Sequence, residues 1–126
     1  MTGGASGAPP LVLLLDDEPM ILIDLKMAVE DAGLRTVIAA SADRALAAIE
    51  GARPDAAVLD VNLGGGTTCE PVAERLRVLG VPYLIHSGDL DRQGELVRRL
   101  HAPMIPKPTP ARTVAAAVSA LIGERG

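Results

Sequence analysis

The stretch that decides the fold is Leu11-Val12-Leu13-Leu14-Leu15-Asp16-Asp17-Glu18-Pro19. Five apolar residues without alternation suit a strand buried on both faces, as in a parallel sheet covered by helices. Asp17 can cap a following helix, and Pro19 is tolerated in its first turn because amides there have no partner. The rest of the chain repeats this strand-then-helix unit. Further apolar runs occupy residues 35–39, 56–61, 82–86 and, more weakly, 103–105.

Between the runs the helix punctuation is nearly complete. After Pro19, the positions Ile21, Leu22, Leu25, Val29 and Ala32 recur at helical spacing, and Gly33 stops them. Ser41 opens a second helix with Ala45, Leu46 and Ile49 inward, ended by Gly51. Thr67 or Thr68 opens a third, with Val72, Leu76 and Leu79 inward, closed by Gly80. Thr109-Pro110 opens the last, through Val114, Val118 and Leu121 to Gly123. Residues 89–102 are weaker: Leu96, Val97 and Leu100 hint at a helix, but Gly94 and crowded charges predict one that is short or mobile. Right-handed crossovers make the whole an α/β protein, a (βα)5 doubly wound parallel sheet of five strands.

With 126 residues, the chain is one domain. Residues 1–9 read as a flexible tail and 10–126 as the domain. Phe and Trp are absent and Tyr83 is the single aromatic, so the core must be Ala, Leu, Val and Ile. That shortage, with a formal charge of −4, speaks against direct binding to nucleic acid. Cys69 alone cannot form an internal disulfide. No run of about eighteen apolar residues predicts a membrane span. The first ten residues have neither the basic start nor the apolar run of a signal peptide, so a cytoplasmic location is expected.

In open α/β sheets, ligands bind beyond the carboxyl ends of the strands, where strand order reverses. The residues at those ends are Asp16 and Asp17, Asp60, Ser87 and Lys107. In a strand order 2-1-3-4-5 all five converge on one edge. Three carboxylates there would repel one another unless a cation joined them, and oxygen donors with room for water suit Mg2+. Lys107 adds a compact positive charge for a phosphate, and Ser87 a hydroxyl donor. Of twelve basic residues only Lys26 and Lys107 are lysines, and Lys107 stands between Pro106 and Pro108.

The set Leu13-Leu14-Leu15-Asp16-Asp17-Glu18-Pro19, Leu59-Asp60-Val61-Asn62, Ser87-Gly88 and Pro106-Lys107-Pro108 resembles a response-regulator receiver domain, over residues 10–123. The resemblance implies a flavodoxin-like fold with strand order 2-1-3-4-5. It implies that Asp60 accepts a phosphoryl group from a sensor histidine kinase or a phosphotransfer protein. Asp17, Asp60 and the backbone carbonyl of Asn62 would ligate Mg2+, with Asp16 acting largely through water. Lys107 would pair with the phosphoryl group and Ser87 would hydrogen-bond it. Such a protein promotes only its own phosphorylation and dephosphorylation and is not otherwise an enzyme. With no residues left for an output domain, a downstream protein reading the surface around residues 89–123, or onward phosphate relay, would carry the signal.

Some positions depart from the common pattern. Gly64 stands where many receivers have proline, Met104 where the switch aromatic is usual, and Thr109 where Phe is frequent. Ile85-His86-Ser87-Gly88 loosely resembles the Phe-Ala-Thr-Gly motif of a subgroup whose fourth helix is poorly formed. Two alternatives share part of the pattern. An aspartate-nucleophile phosphatase would need an aspartate where Asn62 stands and a longer core. A degenerate receiver would act as a binding module without phosphorylation. Gly64-Gly65-Gly66-Thr67 reads as a flexible turn, since no Gly-Lys-Ser/Thr follows. His86 reads as a packed residue and Cys69 as an idle thiol. Asn62 and Asp89, each two residues past a key position, either tune hydrolysis or are ordinary loop residues.

Overall fold

All five apolar runs become strands of one parallel sheet: β1 (Leu11–Leu15), β2 (Arg35–Ala39), β3 (Ala56–Leu59), β4 (Tyr83–Ser87) and β5 (Met104–Pro106). The computed structural model describes residues 8–88 and 98–125. The strand order is β2-β1-β3-β4-β5, as expected. The connecting helices are α1 (Pro19–Asp31), α2 (Ala42–Gly51), α3 (Glu70–Val78), a helical turn at residues 98–100 (α4) and α5 (Ala111–Arg125). The expectation of a short or mobile helix over 89–102 falls for the most part outside the described residues, as does most of the expected tail.

Strand alternation divides the core into two layers. Leu13, Leu15, Ala57, Leu59 and Ile85 pack with Ile49, Val72 and Leu76 of α2 and α3. Val12, Leu14, Val58 and Leu84 pack on the other side with Leu22, Leu25, Val29, Val114 and Val118 of α1 and α5. Aliphatic side chains fill both layers, apart from Cys69 and the single aromatic, Tyr83, in the first. The register then aligns the strand ends. Leu15 pairs with both Ala39 and Leu59, Leu59 with Ile85, and Ser87 with Pro106. The residues immediately following β1, β3 and β5 therefore emerge along one edge beside Ser87.

Several local readings are corrected. The N-cap of α1 is Glu18 and not Asp17, and no side chain caps it. The carboxylate of Asp16 instead accepts a hydrogen bond from the Glu18 amide at 2.9 Å. Ser41 does cap α2, accepting from the Arg44 amide at 3.2 Å. At α3 the cap position is Cys69, while Thr68 Oγ1 accepts from the Glu70 amide. Ala32 is exposed, and Ile38 of β2 is 42% exposed because an edge strand lacks a neighbour on one side. Along α1, Met20, Ile23 and Met27 also face outward. No helix among the described residues is long and apolar enough to cross a membrane.

Candidate functional site

The edge where the strands end holds Asp16 just past β1 and Asp60 just past β3, 1% and 5% exposed. Two carboxylates buried this deeply require compensation. Lys107 supplies it: its Nζ lies 2.8 Å from Asp16 Oδ2 and 3.3 Å from Asp60 Oδ2. The lysine arrives there because its amide donates to the Ser87 carbonyl at 3.0 Å, which extends the β4–β5 pairing by one residue. Gly88 lies against its stem, where an added Cβ would sit 3.5 Å from Lys107 Cβ.

The charges act on one another. Burial, and then the Asp16 charge, push Asp60 from its ordinary 3.8 to about 6, against the opposing pull of Lys107. Burial would lower Lys107, but the carboxylates of Asp16 and Asp60 outweigh it and raise its pKa. Asp60 therefore holds its charge at a cost. Near neutral pH most of it is nevertheless ionised and available as a nucleophile.

Asp17 is exposed at the end of the same turn. One carboxylate oxygen each from Asp16, Asp17 and Asp60 lie within 4.8 Å of one another. This set of hard oxygen donors, two buried and one open to solvent, fits a Mg2+ ion that keeps several waters. Asn62 lines the same cleft, a cavity of about 330 Å3 that also includes Glu18, Gly64 and Ser87. Its side-chain oxygen accepts from the Gly64 amide at 3.1 Å, shaping the turn after β3. Gly64 has φ +83°, and a Cβ there would come within 3.4 Å of Asp17 Oδ2. Glycine thus keeps both the backbone turn and the space beside Asp17.

Every sequence-predicted residue reaches this edge: Asp16, Asp17, Asp60, Asn62, Ser87 and Lys107 all line or flank the cleft. Ser87 is 1% exposed and follows the buried ring of His86. One participant escaped the sequence reading. Glu18 Oε1 lies 3.6 Å from Lys107 Nζ, a third carboxylate drawn to the same cation. The available signal was the unbroken acidic run from Asp16 to Glu18. Cys69 is fully buried, and burial followed by the Asp60 charge pushes its thiol up to about 12.

No protein-family model and no curated protein matches the chain. Solved structures do match it. One is a CheY-like response regulator receiver domain protein from Methanospirillum hungatei, with a TM-score of 0.82 at 24% identity, covering 93% of this chain and 96% of that one. The chain has the receiver fold of response regulators. The receiver domain of NtrX from Brucella abortus gives a TM-score of 0.77 at 27% identity, covering 91% of this chain and 99% of that one. Chemotaxis protein CheY4 of Vibrio cholerae gives 0.76 at 24% identity, covering 90% and 98%. These likenesses reach the receiver fold and do not distinguish a Phe-Ala-Thr-Gly subgroup.

Proposed function

We propose that the chain is a phospho-accepting receiver whose Asp60 takes a phosphoryl group from a phosphohistidine of a sensor kinase or phosphotransfer protein. The observation that carries this reading is the placement of Asp60. It is buried, directly follows a central strand, lies 3.3 Å from Lys107, and has carboxylates of two further aspartates close by. In the transfer, an Asp60 carboxylate oxygen forms a bond to phosphorus as the bond from phosphorus to the donor's imidazole nitrogen breaks. The leaving nitrogen keeps the electron pair. Lys107 neutralises charge on the transferring group, the dominant need in phosphoryl transfer. Asp16, Asp17, Asp60 and the Asn62 carbonyl would hold Mg2+, which when bound supplies further charge neutralisation on the phosphoryl oxygens.

The aspartyl phosphate adds about −1.5 to −2 charges in the cleft that Ser87 also lines, where its hydroxyl can donate. Flipping a resting population from 1:99 to 99:1 requires those new contacts to favour the active state by about 5.5 kcal/mol. A downstream protein reading the surface around residues 89–123, which includes Lys107 and the start of α5, would receive the change. Incubation with acetyl phosphate and Mg2+ is expected to add about 80 Da to the wild type, the mass of one phosphoryl group. Asp60→Asn is expected to gain nothing. Labelling that persists in Asp60→Asn, or none in the wild type, removes the assignment; the second result leaves a binding module.

A further inference from the structure

His86 is 4% exposed, yet neither ring nitrogen has a hydrogen-bond partner among the described residues. A buried imidazole left unpartnered forfeits the hydrogen bonds water would give it, so the position calls for a reason. Strand alternation turns His86 to the same side as Leu84, toward α1 and α5 and away from Ile85. On that side it lines a cavity of about 160 Å3, whose other walls include Ile21, Leu25, Pro108 and Ala111. Burial, and next the nearby charge of Lys107, lower the pKa of His86. The ring is therefore neutral near pH 7, with one N–H donor and one lone-pair acceptor.

We propose that this cavity is a binding site for a small, flat, largely apolar molecule bearing one hydroxyl-type group that pairs with His86. The size argues for a single ring: an apolar protein cavity of about 150 Å3 accommodates benzene. The chemistry argues for one polar group at depth: Asp24, Lys107 and Thr109 also line the cavity but are exposed or half-buried, and His86 is the one polar lining side chain that is buried. Its position gives the site a consequence. Lys107 lines both this cavity and the acidic cleft, so an occupant would touch the residue that pairs with Asp16 and Asp60.

Binding is tested on the full chain with phenol as the probe and toluene as the shape control, following the His86 ring signals by NMR. These measurements need no phosphorylation, so they fail or succeed independently of the proposed function. Phenol is expected to shift the His86 signals saturably and to bind about fivefold more tightly than toluene, as one net hydrogen bond gives. In His86→Leu, followed through the Ala111 amide, that preference is expected to vanish. Ala111→Leu, or Ile21→Phe should the first not fold, fills the space and is expected to abolish binding of both. Absence of a saturable shift in the wild type overturns the proposal. So does undiminished binding in a folded cavity-filling variant, or an intact phenol preference in His86→Leu.

Discussion

The β1–β3 part of the sheet and the β4–β5 part hold their shares of the acidic edge by different means. From Val12 to Leu15 and from Ala56 to Leu59 no residue is more than 1% exposed, and the carboxylates of Asp16 and Asp60 follow directly from these strands. β5 has three residues, none of them fully buried, and of the Lys107 that follows it the backbone is held by Ser87 and the ammonium by the acids it meets. Packing positions the anions; the anions then position the cation. Such a division leaves β5 and Lys107, rather than the buried strands β1, β3 and β4, free to answer a change in charge.

Unequal truncation should expose this difference most strongly. Leu59→Ala removes a fully buried side chain next to Asp60 and is expected to cost about 2–5 kcal/mol in urea unfolding. Ile105→Ala, in half-buried β5, is expected to cost less than about 2 kcal/mol. Equal losses would abolish the contrast.

A smaller effect concerns the charge the packed side must hold. Asp60 titrates near 6 when folded and near 3.8 in the unfolded chain, so between these values the folded state binds more protons. Stability therefore falls as pH rises from about 4 to about 6 and the loss is complete above that window. Without Mg2+, in a chelating buffer, Asp60→Asn is expected to flatten this slope. At pH 7 it should raise stability by about 1–2 kcal/mol after allowing for solvent screening. A wild-type profile that rises through the same window would contradict the assigned cause.

The smallest effect belongs to β4, which is buried throughout yet carries an unpartnered ring. Replacing the unpartnered imidazole in His86→Leu removes a desolvation penalty and is expected to leave stability unchanged or raise it by up to about 1 kcal/mol. Thermal unfolding checks this, and a loss of more than about 1 kcal/mol would show that the His86 ring makes stabilising contacts in place.

Much of this architecture was legible because local chemistry and global topology agree. Unbroken apolar runs mark central strands whatever their partners, and Ser41 or Gly33 punctuate helices through groups close in sequence. The convergence of Asp16, Asp17, Asp60, Ser87 and Lys107 followed from topology alone, since each ends or follows a strand. What stayed hidden depends on contacts made across the fold. Whether Asp16 or Asp17 turns inward depends on the pleat at the end of β1, and the reading of Asp17 as a cap missed it. The exposure of Ile38 follows from the edge position of β2, which an apolar run does not announce. The reach of Glu18 toward Lys107 joins two segments almost ninety residues apart, and the void beside His86 is a property of packing between α1 and the start of α5.

The sealed thiol of Cys69 has a practical consequence. A cysteine without thiolate and without access reacts with neither maleimides nor mild oxidants. The natural sequence is thereby already a single-site labelling scaffold: a cysteine placed at exposed Met20 or Val78 would be the one that takes a fluorophore or spin label. With both positions substituted, the distance between two such labels would report whether treatment with acetyl phosphate and Mg2+ changes the fold, the native thiol being left in place.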